Sequence, residues 1–287
     1  MVTGYLKTTI LLAALTAFVM GVGYLLGGTS GMQTALIFAL VLNGAMYWFS
    51  DAIVLRMAQA TPMKQSDHPE IYTATRILSK KMGIPMPKLY KSSDLSPNAF
   101  ATGRSPSKGI VCVTEGLLQH LETNEVEAVI AHELAHIKNY DTLISTIASV
   151  LSGAIASMAD MAFWSGIFGS SNQNNEENQS PFGALSGVVM LIVAPLVASM
   201  IQFAISRSRE FEADRTAALA TRKPLNLASA LLKIEQVARG YNQNFSPAVS
   251  ALSIHSSLRA DGIMSLFSTH PPTAKRVEKL KNLRISP

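Results

Sequence analysis

Two histidines four residues apart, with a glutamate directly after the first, form the stretch His132-Glu133-Leu134-Ala135-His136. On an α-helix, residues at that spacing lie about 40° apart around the axis and ~6 Å apart along it. Both imidazoles can then reach one tetrahedral Zn²⁺, while Glu133 stands where a general base would take a proton from water. The bland alternative is a pair of surface histidines beside an acid. Its weight depends on what else the chain supplies.

A catalytic zinc needs three protein ligands and one open position. One helix cannot surround an ion, so the third ligand must come from another element. His68, His120, His255, His270 and the acids are the candidates. Among them the cluster Arg207-Ser208-Arg209-Glu210-Phe211-Glu212-Ala213-Asp214 stands out. On a helix Glu210 and Asp214 share a face, and Glu212 points roughly opposite. Glu210 could bind zinc and Asp214 could hydrogen-bond the far nitrogen of a ligand histidine, as metal sites usually require. A solvated helix end, with Arg207 and Arg209 marking a membrane boundary, is the competing reading.

The elements that would position these groups read as follows. Glu125–Tyr140 is a helix with Asn124 as its N-cap and Glu125 and Glu127 in its first turn. Val126, Val129, Ile130, Leu134 and Ile137 bury one side of it, which leaves the histidines facing a cleft. Ile71–Met82 is an amphipathic helix, and Glu115–Leu121 a shorter one. Lys88–Lys91, Asn98–Thr102 and Lys108–Thr114, separated by proline and glycine, make a small sheet. Asn98–Thr102 reads first as an ordinary buried strand. The functional alternative is an edge strand that offers its backbone to an extended peptide, with Asn98, Ala99 and Phe100 near the substrate. Thr273–Leu283 is a helix whose Lys275, Arg276, Lys279 and Lys281, with Arg284 just beyond, make a solvated basic face.

Only 15% of the residues are charged and 48% are hydrophobic, against about 25% charged in ordinary soluble chains. This composition is that of a membrane protein. Apolar stretches run over roughly Thr8–Leu26, Met32–Leu55, Leu143–Phe168 and Ala184–Ser206, each near the ~20 residues that span a bilayer. The first also fits a secretory leader, which leaves the topology unchanged. The third is the weakest span, with Asp160 inside it near Trp164, and a hairpin of the third and fourth stretches that does not span is the competing reading. Neither hairpin connection, Gly27–Gly31 or Ser170–Pro181, holds a lysine or arginine. Lys7, Arg56, Lys64, Arg207 and Arg209 all lie on the other side. The positive-inside rule therefore puts both termini and regions 56–142 and 207–287 in the cytoplasm. Membrane hairpins occupy 8–55 and 143–206. The single cysteine, Cys112, lies in an apolar run, permits no internal disulfide and excludes a thiolate zinc cluster. The net charge of +5 comes with no nucleic-acid motif.

The context EAVIAHELAHIKNYD, a transmembrane pair and then SRSREFEAD resembles the HtpX family of membrane-bound zinc metallopeptidases, relatives of the CAAX prenyl endopeptidases. PNAFATG (97–103) and STHPPTAKRV (268–277) resemble further motifs of that family, and the resemblance runs through essentially the whole chain. It implies His132, His136 and Glu210 as ligands of one Zn²⁺ per chain, Glu133 as base and Asp214 behind a ligand. It implies a mainly α, integral membrane fold of four transmembrane helices with a cytoplasmic α+β, zincin-like metallopeptidase domain. It also implies a bacterial inner membrane, stress induction and quality control of misfolded membrane proteins.

The expected mechanism is attack by a zinc-bound water, with Glu133 moving the proton and His270, Arg207 or Arg209 assisting at the oxyanion. A divalent-metal transporter or sensor using the same ligands is the alternative from another class. It would want more polar positions within the spans than Asp160 and Asn43, and it leaves Glu133 without a role. Polar Asn124, Glu125, Lys138, Asn139 and Asp141 around the histidine helix speak against a site inside the bilayer. The sequence does not set the oligomeric state.

Overall fold

The computed structural model describes residues 2–147, 150, 207–240 and 271–284. Helix α1 (Val2–Met57) is broken at Gly27 and Gly28, where Gly28 takes φ 59° and ψ −144°. Only glycine enters that region without steric cost, so the joint expected between the first two apolar stretches falls there. The arm from Gly27 to Met57 is long and apolar enough to cross a membrane. The first arm lies alongside it: the Asn43 side-chain amide donates to Thr16 Oγ1 at 2.8 Å and to the Leu12 carbonyl at 3.4 Å. Ile37, Phe38, Leu40 and Val41 are exposed on the outside of the second arm, an apolar surface of the kind lipid covers. Most of the third apolar stretch and all of the fourth, with Asp160, lie outside the described residues.

Beyond α1 come β1 (Ala60–Pro62), α2 (Pro69–Met82), β2 (Lys88–Ser92), β3 (Ala99–Thr102), β4 (Ile110–Thr114), α3 (Glu115–His120) and α4 (Thr123–Lys138). After them stand α5 (Arg207–Thr221), α6 (Pro224–Gly240) and α7 (Thr273–Lys281). The strands form one mixed sheet in the order β1-β2-β4-β3. β2 and β4 are parallel, and β1 and β3 pair antiparallel at either side. β4 (IVCVT) is buried along its whole length, as expected of an unbroken apolar run in a sheet interior. Burial also pushes the Cys112 thiol up to about 12, although a backbone hydrogen bond from Ser92 opposes this; the residue is packing material. β1 and α6 were not read from the sequence.

β3 follows the buried-strand reading, although it lies at an edge of the sheet. It is paired with β4, and all four of its side chains are buried. Phe100 packs with Val54, Ala58 and Cys112, and Ala99 belongs to the main core. Thr114 Oγ1 ties the entry to this strand. It accepts from the Asn98 N–H at 2.9 Å and the Leu117 N–H at 3.1 Å, and donates to the Ser96 carbonyl at 2.7 Å.

α4 is the hub. It packs against α2, α5, α6, β3 and β4. Val129, Ile130, Leu134 and Ile137 share a core with Ala217, Leu227, Leu231, Ile234, Val277 and Leu280. Its start differs from the expectation that Asn124 is the cap. Glu122 is the N-cap, and a capping box joins it to Glu125, whose carboxylate accepts the Glu122 N–H at 2.9 Å. The reciprocal pair satisfies two backbone donors, which a lone asparagine could not do. Glu125 is buried and also takes bonds from Ser229 and Lys233, which fastens α6 to the start of α4.

α4 does not run straight into the third apolar stretch. Tyr140 adopts φ 60°, the left-handed region, and residues 142–147 start a new helix. That conformation costs a non-glycine residue roughly 1–2 kcal/mol. The turn is held by Thr142 Oγ1 donating to the Gly103 carbonyl at 2.6 Å and by a 2.8 Å bond between the Thr102 and Thr146 hydroxyls. Leu143, Ile144 and Ile147 are therefore buried against protein.

Replacing Thr114 by Val strands two buried N–H groups and should destabilise the detergent-solubilised chain by roughly 2 kcal/mol or more. Thermal unfolding checks this, and Thr114→Ser should recover most of the loss.

Candidate metal centre

Three helices build the site. α4 contributes His132 and His136 one turn apart, α5 contributes Glu210 and Asp214 one turn apart, and α7 contributes Arg276. His132 Nε2 lies 3.1 Å from His136 Nε2 and 3.6 Å from Glu210 Oε2. His136 Nε2 lies 3.5 Å from Glu210 Oε1. Ligand atoms at ~2.0–2.1 Å from a tetrahedral zinc would stand about 3.3 Å from one another. The donor triangle has that size. Two imidazole nitrogens with their lone pairs facing at 3.1 Å repel unless a proton or a cation lies between them. The three residues thus form a set that could hold a metal ion. It is a nitrogen and oxygen set of the kind zinc accepts.

The far nitrogens explain why both Nε2 atoms face inward. His132 Nδ1 is 3.0 Å from Asp214 Oδ1, off the line of a straight hydrogen bond. His136 Nδ1 is 3.3 Å from Asp141 Oδ2. A carboxylate behind each ring favours a proton on Nδ1 and leaves Nε2 free to donate electrons. Asp214 is gripped by Arg276, whose Nε and Nη2 reach its two oxygens at 2.9 and 2.7 Å. Asp141 accepts from Arg209 Nη1 at 3.0 Å.

His132, Glu133, Glu210, Asp214 and Arg276 are all buried, while His136 is partly open. Solvent therefore reaches the cluster from the His136 side. Burial opposes charge on His132, but the carboxylates of Asp214 and Glu210 outweigh it and hold its pKa up to about 9. Burial also raises the Glu133 carboxyl, against the nearby histidines, which favour its ionised form. Asp214 moves the other way. Despite burial, Arg276 holds its carboxyl down at about 2.

The structure thus brings His132, Glu133, His136, Glu210 and Asp214 together. Arg207 begins α5, and its side chain is outside the described residues, as is all of His270. Asn98, Ala99 and Phe100 are buried as whole residues, backbone included, so none of the three is open to a peptide in this structure. Arg276 corrects the sequence reading. Lys275, Lys279, Lys281 and Arg284 are exposed as expected, but Arg276 is 1% exposed and lies inside the site. The signal was its spacing: Thr273, Arg276, Val277 and Leu280 share one helical face, and all are buried. Asp141 was also missed as a histidine partner, because only the turn at Tyr140 brings it back to His136.

Residues 65–284 match the family model described as Peptidase family M48. The chain is 44% identical over 281 residues to a "Protease HtpX homolog" of Syntrophobacter fumaroxidans, covering 96% of this chain and 98% of that one. It is 45% identical over 284 residues to a protein of the same name from Pyrococcus abyssi, covering 98% and 96%. It is 46% identical over 281 residues to "Protease HtpX" of Legionella pneumophila, covering 96% and 98%. Its fold is similar to the crystal structure of S. mikatae Ste24p, with a TM-score of 0.51 at 19% identity, over 97% of this chain and 66% of that chain. Fold and site together are those of a metallopeptidase. The chain belongs to peptidase family M48.

A metal that takes the His132 Nε2 lone pair must displace a proton held up to a pKa of about 9. Zinc affinity should therefore rise by roughly tenfold per pH unit between about pH 7 and pH 9 and level off above. The metal-free protein should show the opposite trend. Its raised His132 pKa stabilises it fully below the ordinary histidine value of 6.5, and that contribution is lost as pH rises through about 9. Chelator competition and melting of chelated protein at a series of pH values measure both slopes.

Proposed function

We propose that this chain is a zinc-dependent, membrane-bound endopeptidase that cuts misfolded or damaged membrane proteins at the cytoplasmic face. The observation that carries this reading is the convergence of His132, His136 and Glu210 with the buried carboxyl of Glu133 beside them.

In this reading His132, His136 and Glu210 hold the ion, and Asp214 orients His132. Bound zinc would supply the positive charge that acidifies a water and polarises a scissile carbonyl. Glu133 takes the proton from the attacking water on its carboxylate and returns it to the leaving amine. Burial raises its carboxyl toward the range in which one group can do both. Exclusion of bulk water by the surrounding core strengthens every charge interaction in the site.

Substrate would lie extended along the outer edge of β3, which pairs on one side with β4 and, being buried, would have to be uncovered to accept it. A position at the membrane surface is supported by two contacts. Arg104, two residues beyond β3, sits 4.3 Å over the Trp48 ring of the apolar arm. Gly103 and Thr102 bond the start of the third apolar stretch. With the basic residues of the sequence on one side, this favours a cytoplasmic site in a multi-pass inner-membrane protein.

Glu133→Ala should keep one zinc per chain and lose cleavage of an unfolded polypeptide by about 10²–10⁴-fold. Glu210→Ala should lose zinc as well. Zinc analysis with a casein-type cleavage assay on purified protein checks both. Full cleavage by Glu133→Ala protein would remove the assigned base.

A further inference from the structure

The two histidines are backed in the same way from opposite sides. His132 meets Asp214, which is gripped by Arg276. His136 meets Asp141, which is gripped by Arg209. The first chain of contacts is wholly buried. The second stands on the solvent side, with side-chain exposures of 15% for His136, 6% for Asp141 and 15% for Arg209.

We propose that Asp141 and Arg209 are positioning residues that act as one unit to hold His136 in its metal-binding orientation. This deepens the zinc-site reading above and rests on it. His136 is the more exposed of the two histidines, so packing alone restrains its ring less than that of His132. A ring free to turn about its side-chain bonds would take Nε2 away from Glu210, and each turn would have to be reversed when metal binds.

The backbone is shaped to prevent this. The αL turn at Tyr140 lets the Asp141 N–H bond the His136 carbonyl at 3.0 Å, which fixes the carboxylate beside the ring it serves. The Asp141 carbonyl accepts from the Ser145 N–H at 3.1 Å, so the same residue also starts the next helix. Arg209 then holds the second carboxylate oxygen at 3.0 Å from the far side. Arg209 adjoins Glu210 in α5. One ion pair therefore links the turn that follows the helix with two ligands to the helix that carries the third.

The test uses the full chain in detergent, with zinc affinity read by competition against a chromogenic chelator. Asp141→Ala should weaken zinc roughly 10–100-fold, as loss of a carboxylate behind a ligand histidine does elsewhere. Arg209→Gln should weaken it by a smaller factor, and Arg209→Lys should recover part of that. The double variant should be no weaker than Asp141→Ala alone, because the two residues act through one contact. Unchanged affinity in Asp141→Ala and Arg209→Gln, or strictly additive losses, would overturn the proposal. So would a fall in the melting temperature of chelated protein with zinc affinity intact, the mark of a purely structural pair. Glu210→Ala separates the two levels: if it binds zinc like the wild type, the metal site itself is misassigned and the positioning role falls with it.

Discussion

Two imidazole nitrogens held 3.1 Å apart in front of a buried carboxylate are the constraint on which the rest of this structure depends. Such an arrangement is unfavourable unless something positive occupies its centre, and it survives only where the scaffold leaves the groups no other position. The scaffold here is α4. It is surrounded by three helices and the sheet, so its own position is fixed by packing, as is the ring of the fully buried His132. Alanines 217 and 218 on α5 are fully buried, and α5 contacts α4 closely enough to bring Glu210 to them.

Charge balance explains much of what surrounds the donors. Four buried carboxyl groups, Glu133, Asp141, Glu210 and Asp214, meet two histidines. Without further cations this cluster would carry several uncompensated negative charges in a low-dielectric region. Arg276 enters from α7 and Arg209 from α5 to offset them. Arg276 lies 3.7 Å from Glu210 and grips Asp214, so residues near the end of the described chain are part of the site. Asp214 is held ionised, while the Glu133 carboxyl is shifted toward its protonated form by burial. One environment thus yields a fixed anion and a carboxyl biased toward its protonated form a short distance apart.

Much of this was legible in the sequence because it depends on local periodicity. The spacing of His132 and His136, the apolar residues of α4, the alternation of short strands with proline and glycine, and the Glu210–Asp214 pair are patterns within single elements. The structure forms these elements and brings those side chains together. Pattern reading failed where a contact depends on how separate elements meet. Arg276 sits in a basic helix that reads as solvated, and only the approach of α7 to α5 turns one of its cations inward. Asp141 reads as a polar residue past the end of a helix, and only the left-handed turn at Tyr140 aims it at His136. The cap of α4 fell at Glu122 rather than Asn124 because Glu125 closes a capping box and is tied to α6, an element the sequence reading had not identified.

X-ray absorption at the zinc edge of the full-length, zinc-loaded protein tests the central claim most directly. One zinc per chain is expected, with a nitrogen and oxygen shell at ~2.0–2.1 Å that contains two imidazoles and a carboxylate, and no sulfur. That shell should lose one imidazole in His136→Ala protein. A sulfur ligand, a shell without imidazole, or a spectrum unchanged by His136→Ala would contradict it.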